Sequence, residues 1–193
     1  MSLSEIALPG VDIDLIYATP ANITGKVIYR APVCLLHADA AAALAHAAEL
    51  AVGQGCRIRV FDAFRPVEAQ WLLWQAFPDP EFIADPRIGS THARGVAVDL
   101  TLADPEGKPM DMGTPFDDLT ALSHHGSRAV SPQAQANRSR LLGIMAAAGW
   151  RHYQSEWWHY QLPDAERFPL LWDAAAGGRM MERDAARLRQ PGP

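Results

Sequence analysis

The sequence has few cysteines, no long apolar run and no surplus of positive charge. Its 193 residues contain only Cys34 and Cys56, which are too few for a disulfide framework and are not spaced as a Cys-x-x-Cys pair. We therefore expect two buried, reduced thiols. No segment approaches the roughly 18 consecutive apolar residues of a transmembrane helix, and residues 1–5 lack the pattern of a signal peptide. We expect a cytoplasmic protein with no membrane partner.

Acidic residues outnumber basic ones. The 22 Asp and Glu against 17 Lys and Arg give a formal net charge of −5 and a pI of about 5.8, which offers no broad basic face for nucleic acid. Apolar residues make up 49% of the chain and charged residues 20%, a balance typical of a globular domain with one substantial core. We predict a single domain over residues 1–193, with its core at about 11–175 and a frayed tail at about 189–193. The oligomeric state is left open.

Periodicity predicts a mixed α and β fold. The helical and strand-like segments alternate: helices over 39–50, 67–77 and 131–148, and strands or a hairpin over 57–61, 96–102 and 150–162. Asp39 is the expected N-cap of the first helix. Residues 103–131 show no periodicity, which is typical of a lid or binding loop, whereas residues 164–188 have helical periodicity interrupted by two glycines. We predict an α+β fold whose central, mostly antiparallel sheet is flanked by helices.

A histidine and an acid lie on either side of a glycine in residues 90–99, Ser-Thr-His-Ala-Arg-Gly-Val-Ala-Val-Asp. His92 precedes the predicted strand and Asp99 falls within it, among apolar neighbours. A carboxylate buried in such a strand needs a cationic partner or a metal ion, because an isolated charge is costly to desolvate. Taken alone, this stretch predicts either a structural ion pair or a metal ligand at Asp99.

A second acid and a second histidine occur in residues 155–160, Ser-Glu-Trp-Trp-His-Tyr. The two tryptophans would exclude water from a cavity that Glu156 and His159 can share if the strand bends between them. His159 alone could be a core histidine. With His92 and Asp99 it gives two imidazoles and one carboxylate, the three protein ligands of a catalytic zinc site whose fourth position is open to water. Glu156 is then a spare carboxylate suited to act as a general base.

Both stretches resemble the zinc signature of the D-alanyl-D-alanine dipeptidases, the VanX-type branch of the LAS metallopeptidases. Other blocks resemble the same family in the same order, namely residues 14–25, 61–66, 112–117 and 123–125. Phe64 departs from the family, which usually has tyrosine there, and this removes one phenolic hydroxyl. The resemblance implies the LAS-type fold and hydrolysis of a small dipeptide substrate, D-Ala-D-Ala, to two D-alanines.

By this resemblance, one zinc ion (Zn2+) per chain is held by His92, Asp99 and His159, and Glu156 is the catalytic base. Arg65 would stabilise the oxyanion that develops during hydrolysis. A guanidinium at the end of a strand suits that role because its charge is permanent.

The resemblance also implies substrate-binding residues. Asp62, three residues before Arg65, would orient Arg65 or the substrate. Ser90 and Asp117 match positions expected to hold the free ammonium group of the substrate. The alignment of the long loop leaves Asp118 as an alternative to Asp117, so the residue that contacts the ammonium group stays open between these two neighbours.

Three other functions are compatible with parts of the pattern. A carboxypeptidase or endopeptidase acting on peptidoglycan peptides would use the same metal ligands, although the long loop and the tryptophans favour a closed cavity and hence a dipeptide. An iron(II) oxygenase also uses two histidines and one carboxylate, but usually with His-x-Asp spacing. A non-enzymatic module with a structural zinc would be expected to use four ligands, including cysteine. His124 and His125 could also bind a metal, but the triad is complete without them.

Overall fold

The computed structural model describes residues 2–182, and within them the chain forms seven β-strands. The strands are β1 (Leu3–Glu5), β2 (Val11–Ile13), β3 (Leu35–His37), β4 (Arg57–Asp62), β5 (Ala97–Ala103), β6 (Arg151–Tyr153) and β7 (Glu156–Gln161). Five of them form one sheet in the order β2-β4-β5-β7-β6, in which β2 and β4 are parallel and every other pair is antiparallel. β1 and β3 form a separate antiparallel pair. The predicted central, mostly antiparallel sheet is confirmed.

The three predicted α-helices are present as α1 (Ala38–Gly53), α2 (Val67–Ala76) and α3 (Pro132–Ala147). α1 packs against β4 and α3, and α3 packs against β5 and β6. The predicted N-cap of α1 was wrong: the helix begins before Asp39, because the Nδ1 atom of His37 accepts the backbone N–H of Asp39 at 3.2 Å. Asp39 instead lies in the first turn, where a negative charge interacts favourably with the helix dipole.

β5 lies in the middle of the central sheet, between β4 and β7. All seven of its residues are buried, which explains the nearly continuous apolar sequence around Asp99. The surrounding apolar core includes Cys34 and Cys56, and both are buried free thiols as predicted. Within residues 2–182, no helix is long and apolar enough to cross a membrane.

The prediction of helical structure over residues 164–188 was wrong for the residues that can be compared. Between residues 164 and 182 the chain forms only two short 3₁₀ turns, at Ala165–Arg167 and Asp173–Ala176. Pro169 cannot donate a helical hydrogen bond, and the backbone of Leu171 instead bonds to two other segments, donating to Ala93 and accepting from Val67. Residues 183–188 and the predicted frayed tail lie outside the described residues.

The long loop over residues 103–131 begins at the last residue of β5, Ala103, which forms an isolated antiparallel bridge with Pro109. It also contains one 3₁₀ turn (Ala121–Ser123) and is otherwise irregular, as its lack of periodicity predicted. Its path is nevertheless fixed by the buried side chain of Arg138 in α3. The guanidinium donates to the carbonyl oxygens of Met112 at 2.7 Å, Leu122 at 2.9 Å and His124 at 3.1 Å. These bonds pair carbonyl oxygens of the loop that are not bonded within an α-helix or a sheet.

Candidate active site

Two neighbouring strands and one tight turn bring the predicted metal ligands together. In the register of the sheet, Asp99 on β5 lies directly opposite His159 on β7. His92 lies in the 3₁₀ turn His92–Arg94, and Gly95 ends this turn with a φ of 70°, a left-handed conformation that favours glycine. The chain then enters β5, so His92 and Asp99 meet at the same end of the sheet.

The three side chains converge on one point. The Nε2 atom of His92 is 3.2 Å from Oδ1 of Asp99 and 3.1 Å from Nδ1 of His159, and that Nδ1 is 3.1 Å from the same Oδ1. The outer nitrogens face acceptors: Nδ1 of His92 lies 2.7 Å from the carbonyl oxygen of Ala63, and Nε2 of His159 lies 3.1 Å from Oε1 of Gln161.

This arrangement fits a bound cation. When the outer nitrogen of each neutral imidazole carries the proton, both inner nitrogens present lone pairs to one another and to a carboxylate. Three Lewis bases this close repel one another unless a cation lies between them. Within residues 2–182, His92, Asp99 and His159 are the group of histidine, cysteine and acidic side chains that meets the geometry of a metal site. His124 and His125 are not part of this group.

The two acids near this point differ in the direction of their pKa shifts. Burial disfavours ionisation of Asp99, but the two histidines beside it outweigh that effect and lower its pKa well below the usual range. Burial and then repulsion by Asp99 raise the pKa of Glu156 well above its usual value. One Oε atom of Glu156 lies 3.8 Å from Nδ1 of His159. Glu156 is therefore a proton acceptor of raised basicity next to the ligand cluster.

Arg65 is held by three buried hydrogen bonds. Its Nε donates to Asp62 at 2.8 Å, one terminal nitrogen donates to Gln70 at 3.1 Å, and the other donates to Oδ2 of Asp99 at 3.2 Å. Its guanidinium carbon lies 4.9 Å from the ring centroid of Tyr17. A guanidinium has five N–H groups, so two terminal N–H groups stay unpaired among the described residues, and Arg65 lines the cavity.

The cluster opens into a small cavity of about 170 Å³. Asp117 lines it and is held in a left-handed conformation with a φ of 61°. Its Oδ1 accepts the hydroxyl of Tyr17 at 3.0 Å, whereas its Oδ2 is shielded from solvent without a hydrogen-bond partner in the described part of the chain. Burial raises the pKa of Asp117 to about 7, against the opposing effect of Arg65. The side chain therefore presents an unpaired acceptor that suits a cationic group.

The other predicted substrate-binding residues are placed differently. Ser90 lines the cavity, and its hydroxyl oxygen accepts the backbone N–H of His92 at 3.2 Å, so it also shapes the turn. Asp62 is fully buried, does not line the cavity, and accepts hydrogen bonds from Arg65 and from the hydroxyl of Tyr29 at 2.8 Å. Asp118 accepts the hydroxyl of Thr120 and does not line the cavity.

The sequence did not predict a functional role for several residues that line the cavity. Tyr17 was part of a family-like block but carried no predicted role. Gln161 lies two residues after His159 on the same strand, and this spacing places both side chains on one face. Tyr153 and Glu81 come from different segments, and the hydroxyl of Tyr153 donates to the carbonyl oxygen of Glu81 at 2.9 Å. No spacing in the sequence connects these last two.

Comparisons with known proteins identify the family of this chain. The family model described as D-ala-D-ala dipeptidase (Peptidase M15) matches residues 2–173. The D-alanyl-D-alanine dipeptidase of Escherichia coli K12 is 46% identical over 87% of this chain and 87% of its own length. Those of Enterococcus faecium and Streptomyces coelicolor are each 35% identical, over 86% and 80% of this chain and 92% and 87% of their own lengths. The chain belongs to the D-ala-D-ala dipeptidase family of peptidases.

Proposed function

We propose that this protein hydrolyses the free D-alanyl-D-alanine dipeptide to two D-alanines with a zinc ion bound by His92, Asp99 and His159. The observation that carries the proposal is the buried cluster of these three ligands beside Glu156, at the base of a cavity of about 170 Å³. Pockets for drug-sized ligands are roughly 300–1,000 Å³, so a cavity this small suits a very small substrate. The relatives at 46% and 35% identity carry the name of the same dipeptidase activity.

Zinc is the metal that suits these ligands best. Two imidazole nitrogens and one carboxylate oxygen form the set of three protein ligands found in catalytic zinc sites. The same atoms are used by iron(II) oxygenases, but membership of a peptidase family favours a hydrolytic metal. A zinc ion bound here would act as a Lewis acid towards water and the scissile carbonyl group. The absence of a cysteine ligand also distinguishes the cluster from a structural zinc site.

Glu156 and Arg65 would carry the proton transfer and the charge stabilisation. The raised pKa of Glu156 favours removal of a proton from the attacking water and its delivery to the leaving amine. The unpaired terminal N–H groups of Arg65 would donate to the carbonyl oxygen as it gains negative charge. Its bonds to Asp62 and Asp99 hold the guanidinium in place before the reaction, so little reorganisation is needed.

Asp117 would bind the ammonium group of the dipeptide. Its Oδ2 is the unpaired acceptor in the cavity, and Tyr17 fixes the other oxygen. Ser90 lines the same cavity and still has a hydroxyl proton to donate. An ammonium group bound to a shielded carboxylate gains a charge-assisted hydrogen bond that an amide nitrogen of a longer peptide cannot replace. This requirement would make the enzyme a dipeptidase instead of a carboxypeptidase.

A substrate panel tests this proposal. We expect zinc-loaded protein to hydrolyse free D-Ala-D-Ala and to leave N-acetyl-D-Ala-D-Ala and a pentapeptide ending in D-Ala-D-Ala intact, because these have no free ammonium group next to the scissile bond. L-Ala-L-Ala serves as the control for chirality. Comparable hydrolysis of the acetylated or longer substrates would instead assign the protein to the carboxypeptidases. If no substrate of the panel is hydrolysed, the proposed activity is refuted.

A further inference from the structure

Gln161 connects the ligand cluster to a residue of the preceding turn. Its side-chain oxygen lies 3.1 Å from Nε2 of His159 and accepts the hydroxyl of Thr91 at 3.1 Å. Thr91 is the residue before His92, and both Gln161 and Thr91 line the cavity. One oxygen atom therefore contacts both segments that carry the histidine ligands: β7 through His159, and the turn that contains His92 through Thr91.

We propose that Gln161, held by Thr91, is the positioning residue that keeps the metal-facing nitrogen of His159 unprotonated. Its amide oxygen can only accept a hydrogen bond, so the proton of the neutral imidazole must be on Nε2. The lone pair is then on Nδ1, which lies 3.1 Å from both Oδ1 of Asp99 and Nε2 of His92. His92 is fixed in the opposite tautomer, because its Nδ1 faces the carbonyl oxygen of Ala63.

The role of Thr91 follows from the symmetry of the amide group. A glutamine side chain can turn by 180° and present its NH₂ group in place of its oxygen. An NH₂ group facing Nε2 of His159 would move the imidazole proton to Nδ1, where it would block the metal. In this structure the hydroxyl of Thr91 donates to the oxygen of Gln161, and this bond holds the amide beside Nε2 of His159 in the orientation that leaves Nδ1 available.

This inference rests on the proposed metal site, but its test does not depend on the substrate. Partners that orient metal-ligating histidines typically affect metal affinity by 10–100-fold when they are removed. We therefore expect Gln161→Met, which keeps the length of the side chain, to weaken binding of Zn²⁺ by roughly 10–100-fold in competition with a chelator. Gln154→Met is the matched control, since Gln154 lies in the turn between β6 and β7 and its amide donates to the carbonyl oxygen of His125 in the long loop.

Two further variants separate positioning from a loss of fold. Thr91→Val should weaken Zn²⁺ binding by less than Gln161→Met, whereas Thr91→Ser should bind Zn²⁺ as the wild type does. Thr101→Val is the matched control for the loss of a threonine hydroxyl away from this cavity. The proposed order is overturned if Thr91→Ser and Thr91→Val bind the ion equally well.

A spectroscopic measurement reads the tautomer directly. In ¹⁵N spectra of the imidazoles, we expect the proton of His159 on Nε2 and the metal on Nδ1 in the wild-type protein, and a mixture of tautomers in metal-free Gln161→Met. Unchanged Zn²⁺ affinity together with an unchanged tautomer in Gln161→Met would overturn the inference. Weakened affinity with no hydrolysis of any dipeptide would leave the positioning role intact and would count only against the proposed substrate.

Discussion

The two sides of the cavity are built from different kinds of structure. The ligand side lies on β5 and β7, where the register of the sheet places Asp99 opposite His159. Another side comes from the long loop, where Asp117 is held at a positive φ of 61°. Ligand positions are therefore fixed by backbone hydrogen bonds within a sheet, whereas the position of Asp117 depends on how one irregular loop is held.

Side chains of α3 and β7, which lie outside the long loop, fix its path. Arg138 donates to three carbonyl oxygens on both sides of Asp117 in the sequence, and its guanidinium carbon lies 5.8 Å from the ring centroid of Trp157. Trp157 in turn donates to the hydroxyl of Thr114 at 2.8 Å. Changes on the strand side should therefore abolish metal binding or turnover, and changes on the loop side should weaken substrate binding while the metal stays bound.

The largest effect is expected from the ligands themselves. His92→Ala, Asp99→Ala or His159→Ala should each lower zinc occupancy below one ion per chain and abolish measurable hydrolysis, since a site with two ligands left holds the ion poorly. The measurement is zinc content after dialysis, with His46→Ala as a control because that histidine is exposed on α1. Full zinc retention in all three variants would refute the ligand assignment.

The next effect concerns Arg65. Removal of a donor that acts on charge developing in the transition state typically costs 10²–10³-fold in kcat, so we expect Arg65→Ala to lose roughly that much. Arg65→Lys should recover little, because an ammonium group lacks the planar fork that bonds to Asp62 and Asp99 together.

Stability measured on the same variants shows whether Arg65 is only structural. Loss of one partner from a buried ion pair costs about 3–5 kcal/mol, and Asp62 is fully buried. A lower free energy of unfolding with near-normal turnover in the folded fraction would contradict the catalytic role.

Glu156→Gln should reduce kcat at least ~10²-fold, the lower end of general-base contributions. The amide keeps the shape of the side chain but cannot accept the proton of the attacking water. Zinc content and fold should be retained, because His92, Asp99 and His159 provide the ligands. Turnover is measured at saturating zinc. Activity that returns in excess zinc would show that Glu156 only orients His159.

The strand side of the cavity could be predicted from the sequence because a charged residue stands where the local pattern predicts apolar ones. Asp99 is an acid in a run of apolar, β-branched residues, and an acid in that position by itself indicates a cationic partner or a metal ion. The antiparallel sheet and the irregular long loop were also predictable, since alternation and its absence are local signals.

Contacts between distant segments could not be predicted in the same way. The bonds from Arg138 to the long loop join residues 14 to 26 positions apart with no repeating pattern. The cap of α1 by His37 was missed because histidine is an uncommon N-cap. The C-terminal segment has helical periodicity, but backbone pairing of Leu171 with Ala93 and Val67 replaced the helix. In the first and last of these cases tertiary contacts decided the outcome, whereas the cap by His37 is a local bond between residues two positions apart.

The smallest effect tests the loop side through Asp117. If its carboxylate binds the ammonium group, Asp117→Asn should raise KM by roughly 10–100-fold, which corresponds to the free energy of one hydrogen bond to a charged group. Zinc content should stay at the wild-type level. Asp118→Asn is the matched control, because the neighbouring carboxylate bonds to Thr120 and does not line the cavity. Equal KM values for the two variants would place the ammonium group elsewhere.

The pH dependence of the same variant gives a second test. Burial raises the pKa of Asp117 from an ordinary value of 3.8 to about 7, so the wild-type KM should rise as the pH falls through about 7 and the acid becomes protonated. The unfolded chain ionises at lower pH than the folded chain, so between about pH 4 and pH 7 the folded state binds more protons at this residue. Its contribution to the free energy of unfolding therefore falls as the pH rises through that window.

Asp117→Asn removes both effects. In urea unfolding, the free energy of unfolding of the variant minus that of the wild type should be larger at pH 8 than at pH 5. The KM of the variant should also lack the step near pH 7. A wild-type pH dependence retained in Asp117→Asn would mean that another group titrates in the cavity.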